Sequence, residues 1–295
     1  MATAGIRSEP PLVVIVGPTA SGKTALAIEM AKRFDGEIIC ADSRTIYKGM
    51  DIGTAKPTAA EQAEIPHWGL DLVEPGERFT AADFQQYANN KIAAIRRRGK
   101  VPFLVGGTGL YVDSVLFDYQ FGAEPDPEWR RVLEAMTLSE LHKYCENNNI
   151  LLPENSSNKR YVIRAIEQKT INNRRRTTPI SNSIIVGIAT NRDILRTRIE
   201  HRSEQLFADG IVEEAKRLGN KYGWNSEAMT GNIYPLVKQV LEGSLNEDEL
   251  QQKFIIQDWR LAKRQLTWLK RNRFIEWHDL DAARTRIIEV LETWQ

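Results

Sequence analysis

The sequence predicts an α/β protein, a doubly wound, mostly parallel sheet with a small helical insertion domain and a helical C-terminal region. Three observations lead there. In the first half, short apolar runs alternate with segments of helical period, as in a parallel sheet covered by helices on both faces. A glycine-rich octapeptide follows the first apolar run directly, and from residue 122 the texture changes to short helical patterns before a last apolar run begins at residue 183. The expected segments are therefore 1–121 for the first part of the core, 122–182 for the insertion, and 183–295 for core completion and the basic helical C-terminal region.

The chain has 295 residues, enough for one large domain and a smaller insertion. Charged residues make up 27% but the net charge is only +1, so a nucleic-acid partner must be met by a local patch. Cys40 and Cys145 match no metal spacing, and Cys40 reads as core. No stretch approaches the roughly twenty apolar residues that cross a bilayer, and the first eleven residues lack a signal-like segment, so a cytoplasmic protein without membrane partners is expected.

The first strand, Leu12 to Val16, runs into Gly17, Pro18, Thr19, Ala20, Ser21, Gly22, Lys23 and Thr24, which fit GxxxxGK[ST]. This makes the expected fold P-loop type. The glycines let consecutive N–H groups turn toward an anion, and the helix starting near Lys23 adds the positive end of its dipole. Lys23 supplies a point charge for a terminal phosphate, and the Thr24 hydroxyl can ligate magnesium. An ordinary glycine-rich turn would lack the required strand before and the helix after, where Ala25, Leu26, Ile28, Met30 and Ala31 keep helical spacing. The loop implies a bound di- or triphosphate without saying which bond breaks.

The second strand, Glu37 to Ala41, ends at Asp42, and ligands in such sheets gather at the carboxyl ends of strands. Asp42 can hold magnesium through water or act as a general base; alternatively it caps a turn. The third strand, Val101 to Val105, ends in Gly106 and Gly107 with no carboxylate. That pair either admits a large organic ligand close to the backbone or makes a tight strand-to-helix turn, with Thr108 and Tyr111 expected at the mouth. His67, in a proline-bounded loop, reads as structural.

The insertion shows helical patterns at Trp129, Val132, Leu133 and Met136, then at Leu138, Leu141 and Tyr144, then over Lys159 to Lys169, followed by Arg174 to Arg176. The fourth strand spans Ser183 to Ala189. One long helix is expected from Asp193 to Leu218, capped by Asn191, and another from Asn246 to Arg273. In the first, Arg198 and Arg202 lie one turn apart and either grip phosphate or pair with Glu200 and Glu204. In the second, Ile255, Trp259, Ala262, Leu266 and Leu269 form the expected buried stripe, with Arg260, Arg264, Thr267 and Arg271 opposite. Over Lys253 to Arg273 seven bases face one acid, Asp258. A one-sign surface beside aromatics suits a nucleic-acid backbone; a merely soluble basic helix is the plainer reading.

With these residues in hand, the chain resembles the tRNA dimethylallyltransferase (tRNA isopentenylpyrophosphate transferase) family. The resemblance is carried by GPTASGKT (17–24), ADSRTIYKGMDIGTAKP (41–57), FTAADF (79–84), VPFLVGGTGLY (101–111), DGIVEEAKRL (209–218) and LAKRQLTWLKR (261–271), in family order. It implies transfer of a dimethylallyl group from its diphosphate to N6 of adenosine 37 in the tRNA anticodon stem-loop, with Mg2+ as cofactor. It further implies catalytic roles for Asp42, Lys23, Thr24 and Arg202, with Thr24 on the metal. It places Asp42, Ser43, Arg44, Thr45, Thr108, Arg130, Arg160, Arg164, Lys263, Arg264 and Gln265 on the tRNA. A monomer without an obligate protein partner is expected. The chain departs from the family pattern at Glu154 to Asn158, at Tyr161 where arginine is common, and over Met229 to Tyr234. The competing readings are an adenylate isopentenyltransferase acting on free nucleotide, a small-molecule kinase or ATPase, and a non-catalytic RNA-binding module. The first needs neither insertion nor basic tail, and the last leaves Asp42 and the phosphate loop unused.

Overall fold

The computed structural model describes residues 9–121, 126–168 and 176–294. Arg174, Arg175 and Lys169 lie outside them. The chain divides into two compact units, one running up to Phe117 and again from Thr178, the other Asp118–Thr177.

The first unit opens with β1 (Leu12–Val16), α1 (Lys23–Arg33), β2 (Gly36–Cys40), α2 (Ala59–Glu64) and β3 (His67–Trp68). Then come α3 (Ala81–Arg97), β4 (Val101–Gly106) and α4 (Gly109–Leu116). In the second unit α5 (Pro127–Ala135), α6 (Leu138–Asn147) and α7 (Lys159–Glu167) enclose Leu133, Leu141, Cys145, Val162, Ile163 and Ile166. Asp126, Thr137 and Asn158 cap these helices by accepting backbone N–H bonds, each worth about 1 kcal/mol. The first unit resumes with β5 (Ser183–Ile188), α8 (Arg192–Ala208), α9 (Ile211–Tyr222), a 3-10 turn (Ala228–Thr230), α10 (Tyr234–Leu241), α11 (Glu247–Leu269), β6 (Glu276–His278) and α12 (Leu280–Trp294).

The described strands form one sheet in the order β3-β2-β4-β1-β5-β6, with every pairing parallel. All five residues of β1 are buried, as a strand covered on both faces requires. Its side chains alternate. Val13 and Ile15 pack toward Leu26 and Met30 of α1 and Ile287 and Leu291 of α12, whereas Leu12, Val14 and Val16 meet Phe84 and Ile92 of α3 and Val112 and Val115 of α4. Each fully buried branched side chain removes enough apolar surface to contribute roughly 1.5–3 kcal/mol. Val16 pairs with Gly106 on one side and Gly187 on the other, so the carboxyl ends of the central strands finish level. That brings the segments after β1 and β4 side by side.

Two expectations about elements change. The long pattern from Asp193 to Leu218 is two helices, because Gly210 takes a left-handed φ of 92° and opens α9 on a new axis. The buried stripe of α11 is Leu250, Phe254, Asp258, Ala262 and Leu269, rotated from the expected one; Ile255 and Trp259 are only partly buried, against Leu195 and Ile199 of α8. Asp258 explains the shift, since a carboxylate occupies the inward position where an apolar residue would have marked the face. No helix among the described residues is long and apolar enough to cross a membrane.

Candidate active site

The phosphate loop, Asp42 and the turn after β4 surround one cavity of about 870 Å3 at the carboxyl ends of β1, β2 and β4, walled on its other side by α8, α11 and Gly231 to Tyr234.

The phosphate loop has the left-handed geometry its glycines and neighbours allow. Gly22 at φ 89° precedes α1, and Ala20 takes φ 59°. A Cβ at Gly17 would meet Ser21 Oγ at 2.8 Å. Within the loop, Ser21 N–H donates to Pro18 O at 3.3 Å and Lys23 Nζ to the same oxygen at 3.1 Å. From outside, Arg198 Nη1 donates to Ser21 O at 3.0 Å, Gln265 Oε1 accepts from Thr19 N–H at 2.8 Å, and Arg202 Nη1 donates to Thr19 Oγ1. Arg198 and Arg202 thus turn to the loop, while Glu200 pairs with Arg196 and Glu204 contacts His201. Burial pushes the Lys23 ammonium down to about 8; Asp42 and Asp258 oppose that shift and Arg202 adds to it. Burial pushes the neighbouring Cys40 thiol up to about 12, which keeps it a neutral wall residue.

Asp42 is both a turn residue and a cavity residue. Its Oδ1 accepts the Arg44 N–H at 2.8 Å, and among the described residues Oδ2 accepts no hydrogen bond. Thr108, though it precedes α4, caps nothing; its Oγ1 accepts the Ser43 N–H at 3.0 Å and so ties the Asp42 turn to the end of β4. Thr108 N–H donates to Ala41 O, and a Cβ at Gly106 would collide with that carbonyl, so glycine is required there for backbone approach. At Gly107 a Cβ would run into Gln265 Nε2, which leaves room for Gln265 to reach Thr19. Tyr111 is not at the mouth: it is buried and stacked on Phe84 at 4.2 Å, because α4 turns it into the sheet-facing core. Thr45 is buried, and Arg44 donates to Glu227 O at 2.9 Å and Thr230 Oγ1 at 3.1 Å.

Of the remaining predicted residues, Arg264 lines the cavity and is exposed, and Lys263 is exposed beside Trp259, its ammonium 5.5 Å from the ring centre. Lys253, Arg260, Lys270, Arg271 and Arg273 are exposed too, while Asp258 is turned inward. The outward surface of this stretch therefore keeps its bases and loses its one acid. In the second unit Arg130 and Arg164 both pair with the buried Glu167, at 3.1 and 3.5 Å, and Arg160 is exposed.

These residues also suit a magnesium ion. Thr24 and Asp42 offer oxygen donors in one cavity, and the described residues contain no cluster of three or more His, Cys, Asp or Glu. Magnesium is held in that way, by one or two side chains with water and substrate phosphates completing its shell.

The IPP transferase profile matches residues 45–272, most of the chain, and the isopentenyl transferase profile matches 10–69. The chain belongs to the IPP transferase family. It is 37% identical to the tRNA dimethylallyltransferase of Bacillus licheniformis over 292 residues, covering 93% of this chain and 92% of the relative. The corresponding protein of Anoxybacillus flavithermus is 38% identical over 280 residues, covering 91% and 90%. Among solved structures, the tRNA isopentenylpyrophosphate transferase of Bacillus halodurans superposes with a TM-score of 0.73 at 36% identity, covering 97% of this chain and 95% of that one.

For this family member, sequence reasoning missed a residue behind the cavity wall and misplaced one on it. Glu214 is buried and accepts the N–H groups of Asp51, Ile52 and Gly53 at 2.8 to 2.9 Å, and the Tyr234 hydroxyl at 2.9 Å. It anchors the turn that leads into Thr54, Ala55 and Pro57 of the cavity wall. The signal was available: Glu214 sits one turn after Gly210, on the apolar face shared by Ile211, Ala215 and Leu218. His67 also lines the cavity, its Nδ1 2.8 Å from Ile65 O.

Proposed function

We propose that this chain is a tRNA dimethylallyltransferase that moves the dimethylallyl group of dimethylallyl diphosphate onto N6 of adenosine 37 in the anticodon stem-loop, as a cytoplasmic monomer. The single observation that carries this reading is the shared cavity. The cations of a phosphate loop and an aspartate with an uncommitted oxygen open into the same space, and its volume is within the roughly 300–1,000 Å3 of pockets that enclose organic ligands.

In the proposed reaction N6 attacks C1 of the prenyl group as the C1–O bond breaks, and the bonding pair leaves with diphosphate. Lys23, Arg202 and the loop N–H groups face the oxygens where negative charge grows, which is where fixed donors lower a barrier most. Asp42 accepts a hydrogen bond from the N6 amine, orients it, and takes its proton. Bound magnesium, on Thr24 with water-mediated help from Asp42, would neutralise diphosphate charge. Thr108 holds the Asp42 turn through Ser43.

The adenine must leave its stack to reach this cavity, at a cost of a few kcal/mol. The exposed bases of α11 and the residues after it supply backbone contacts that offset this cost, with Trp259 and Trp268 interleaved among them. In this reading Arg264 and Lys263 meet the RNA, and Gln265 acts on the loop as well as lying on the RNA-binding helix. Ser43, Arg44, Thr45, Arg130, Arg160 and Arg164 are further proposed contacts.

The deciding experiment incubates the chain with labelled dimethylallyl diphosphate, magnesium and either unmodified tRNA or AMP. Label in tRNA alone is expected. Label in AMP, or ATP turnover without prenyl transfer, would overturn the reading.

A further inference from the structure

The buried acid of α11 faces the cations that the proposed reaction uses. Asp258 is 2% exposed and lies in the cavity wall opposite the phosphate loop. Its Oδ2 stands 3.6 Å from Arg202 Nη1, beyond hydrogen-bond range but close enough for a strong charge interaction, and accepts no hydrogen bond. Its Oδ1 accepts from Asn232 Nδ2 at 3.3 Å. A buried carboxylate with one oxygen unsatisfied is a poor stabilising device, since desolvation offsets most of the gain from an imperfect ion pair. An apolar residue at this point of the α11 stripe, between Phe254 and Ala262, would pack without that penalty.

Arg202 shows what the carboxylate does. This side chain is long and rotatable, and its buried Nε has no hydrogen-bond partner. Among the described residues its polar partners are Thr19 Oγ1 on the loop and Asp258 on α11, and between them the guanidinium spans the wall of the cavity. Asp258 also supplies an opposite charge near Lys23, whose other charged neighbours are Asp42 and Arg202. Two cations can therefore stand together before an anionic ligand arrives.

We propose that Asp258 is a positioning residue that acts through Arg202: it fixes the guanidinium over the phosphate loop, preorganised for the diphosphate. The inference rests on the diphosphate reading of the cavity. Its test must separate holding Arg202 from merely packing against Asn232.

Inorganic pyrophosphate with magnesium is titrated calorimetrically into the full chain, its Asp258→Asn and Arg202→Ala variants, and the double variant. Asp258→Asn keeps the shape and the Asn232 contact while removing the charge. It should weaken pyrophosphate binding about tenfold, or about 1.4 kcal/mol. In the Arg202→Ala background the same substitution should change binding less than about twofold, because its target is already gone. In steady-state transfer it should lower kcat while leaving the KM for tRNA unchanged. Should Asp258→Asn not fold, Asp258→Ser removes the same charge, and Asn232→Ala, measured beside it, gives the part of its effect that comes from losing the Asn232 contact.

Pyrophosphate affinity of Asp258→Asn within twofold of the parent chain overturns the proposal. So do single-variant losses that multiply in the double variant, which a packing role would give. A parent chain that does not bind pyrophosphate overturns the diphosphate reading itself, and this inference with it.

Discussion

Replacing Glu214 by glutamine exchanges one carboxylate oxygen for an NH2 group and tests how the cavity wall is held. In the native chain both carboxylate oxygens are used twice, Oε2 by the Asp51 and Ile52 N–H groups and Oε1 by Gly53 N–H and the Tyr234 hydroxyl. A glutamine oxygen placed at Oε2 keeps the first two bonds, but as neutral ones. The amide NH2 then faces the Gly53 N–H, donor against donor, while the Tyr234 hydroxyl can rotate to accept. Hydrogen bonds to a charged acceptor contribute about 1.5–3 kcal/mol and neutral ones about 0.5–1.5, and an orphaned buried N–H costs about 1–3. Three weakened bonds at about 1 kcal/mol each and one orphan at about 1–3 come to roughly 4–6 kcal/mol, a large part of the 5–15 typical of a native protein. The assay is urea unfolding followed by circular dichroism, with amide hydrogen exchange over residues 50–56. Glu213→Gln serves as the control, since Glu213 is exposed on α9 and its replacement should stay within about 0.5 kcal/mol. A loss below about 1 kcal/mol for Glu214→Gln, with Gly53 still protected, would refute the account of this wall.

Asp42→Asn should nearly abolish prenyl transfer while tRNA affinity stays close to native, and unchanged turnover would remove Asp42 from the chemistry. Arg264→Ala should weaken tRNA binding and reduce its log–log salt slope by about one phosphate contact; an unaltered slope takes α11 off the backbone. The Lys23 ammonium is held at about 8, below its ordinary 10.5, so pyrophosphate affinity should fall as pH rises through about 8 in a titration series. For folding the sign is opposite. Between about 8 and 10.5 the unfolded chain binds more protons at this lysine than the native one, so its contribution to stability rises with pH across that window.

The sheet was legible in the sequence where its strands are long and apolar. LVVIV and the runs ending at Cys40 and Gly106 are buried throughout, the run ending at Ile188 is buried from Ile185 on, and they need no context to be seen. His67–Trp68 and Glu276–His278 were not visible, being two- and three-residue edge strands that carry polar groups. The phosphate loop could be read because its chemistry is local. Arg198, Arg202, Asp258 and Gln265 act across separations of dozens to hundreds of residues, and periodicity along α8 and α11 does not say which faces meet. Asp258 defeated the pattern directly, since a charge at an inward position looks like an outward one. Tyr111 failed in the opposite sense: proximity to the glycine turn suggested the mouth, but α4 rotates it into the apolar layer with Phe84.

The order of strands also dictates how this chain must be born. β1 emerges early, yet its two hydrogen-bonding neighbours are β4 and β5, residues 101–106 and 183–188. At synthesis rates of about 5–20 residues per second, the central strand waits on the order of ten seconds for its second partner. During that time a bare LVVIV segment is a sticky template, and closure of the sheet couples the ends of a long loop. Ribosome-associated holding factors are thus of most value to this protein before residue 188 has cleared the exit tunnel, and truncations ending short of β5 are expected to aggregate.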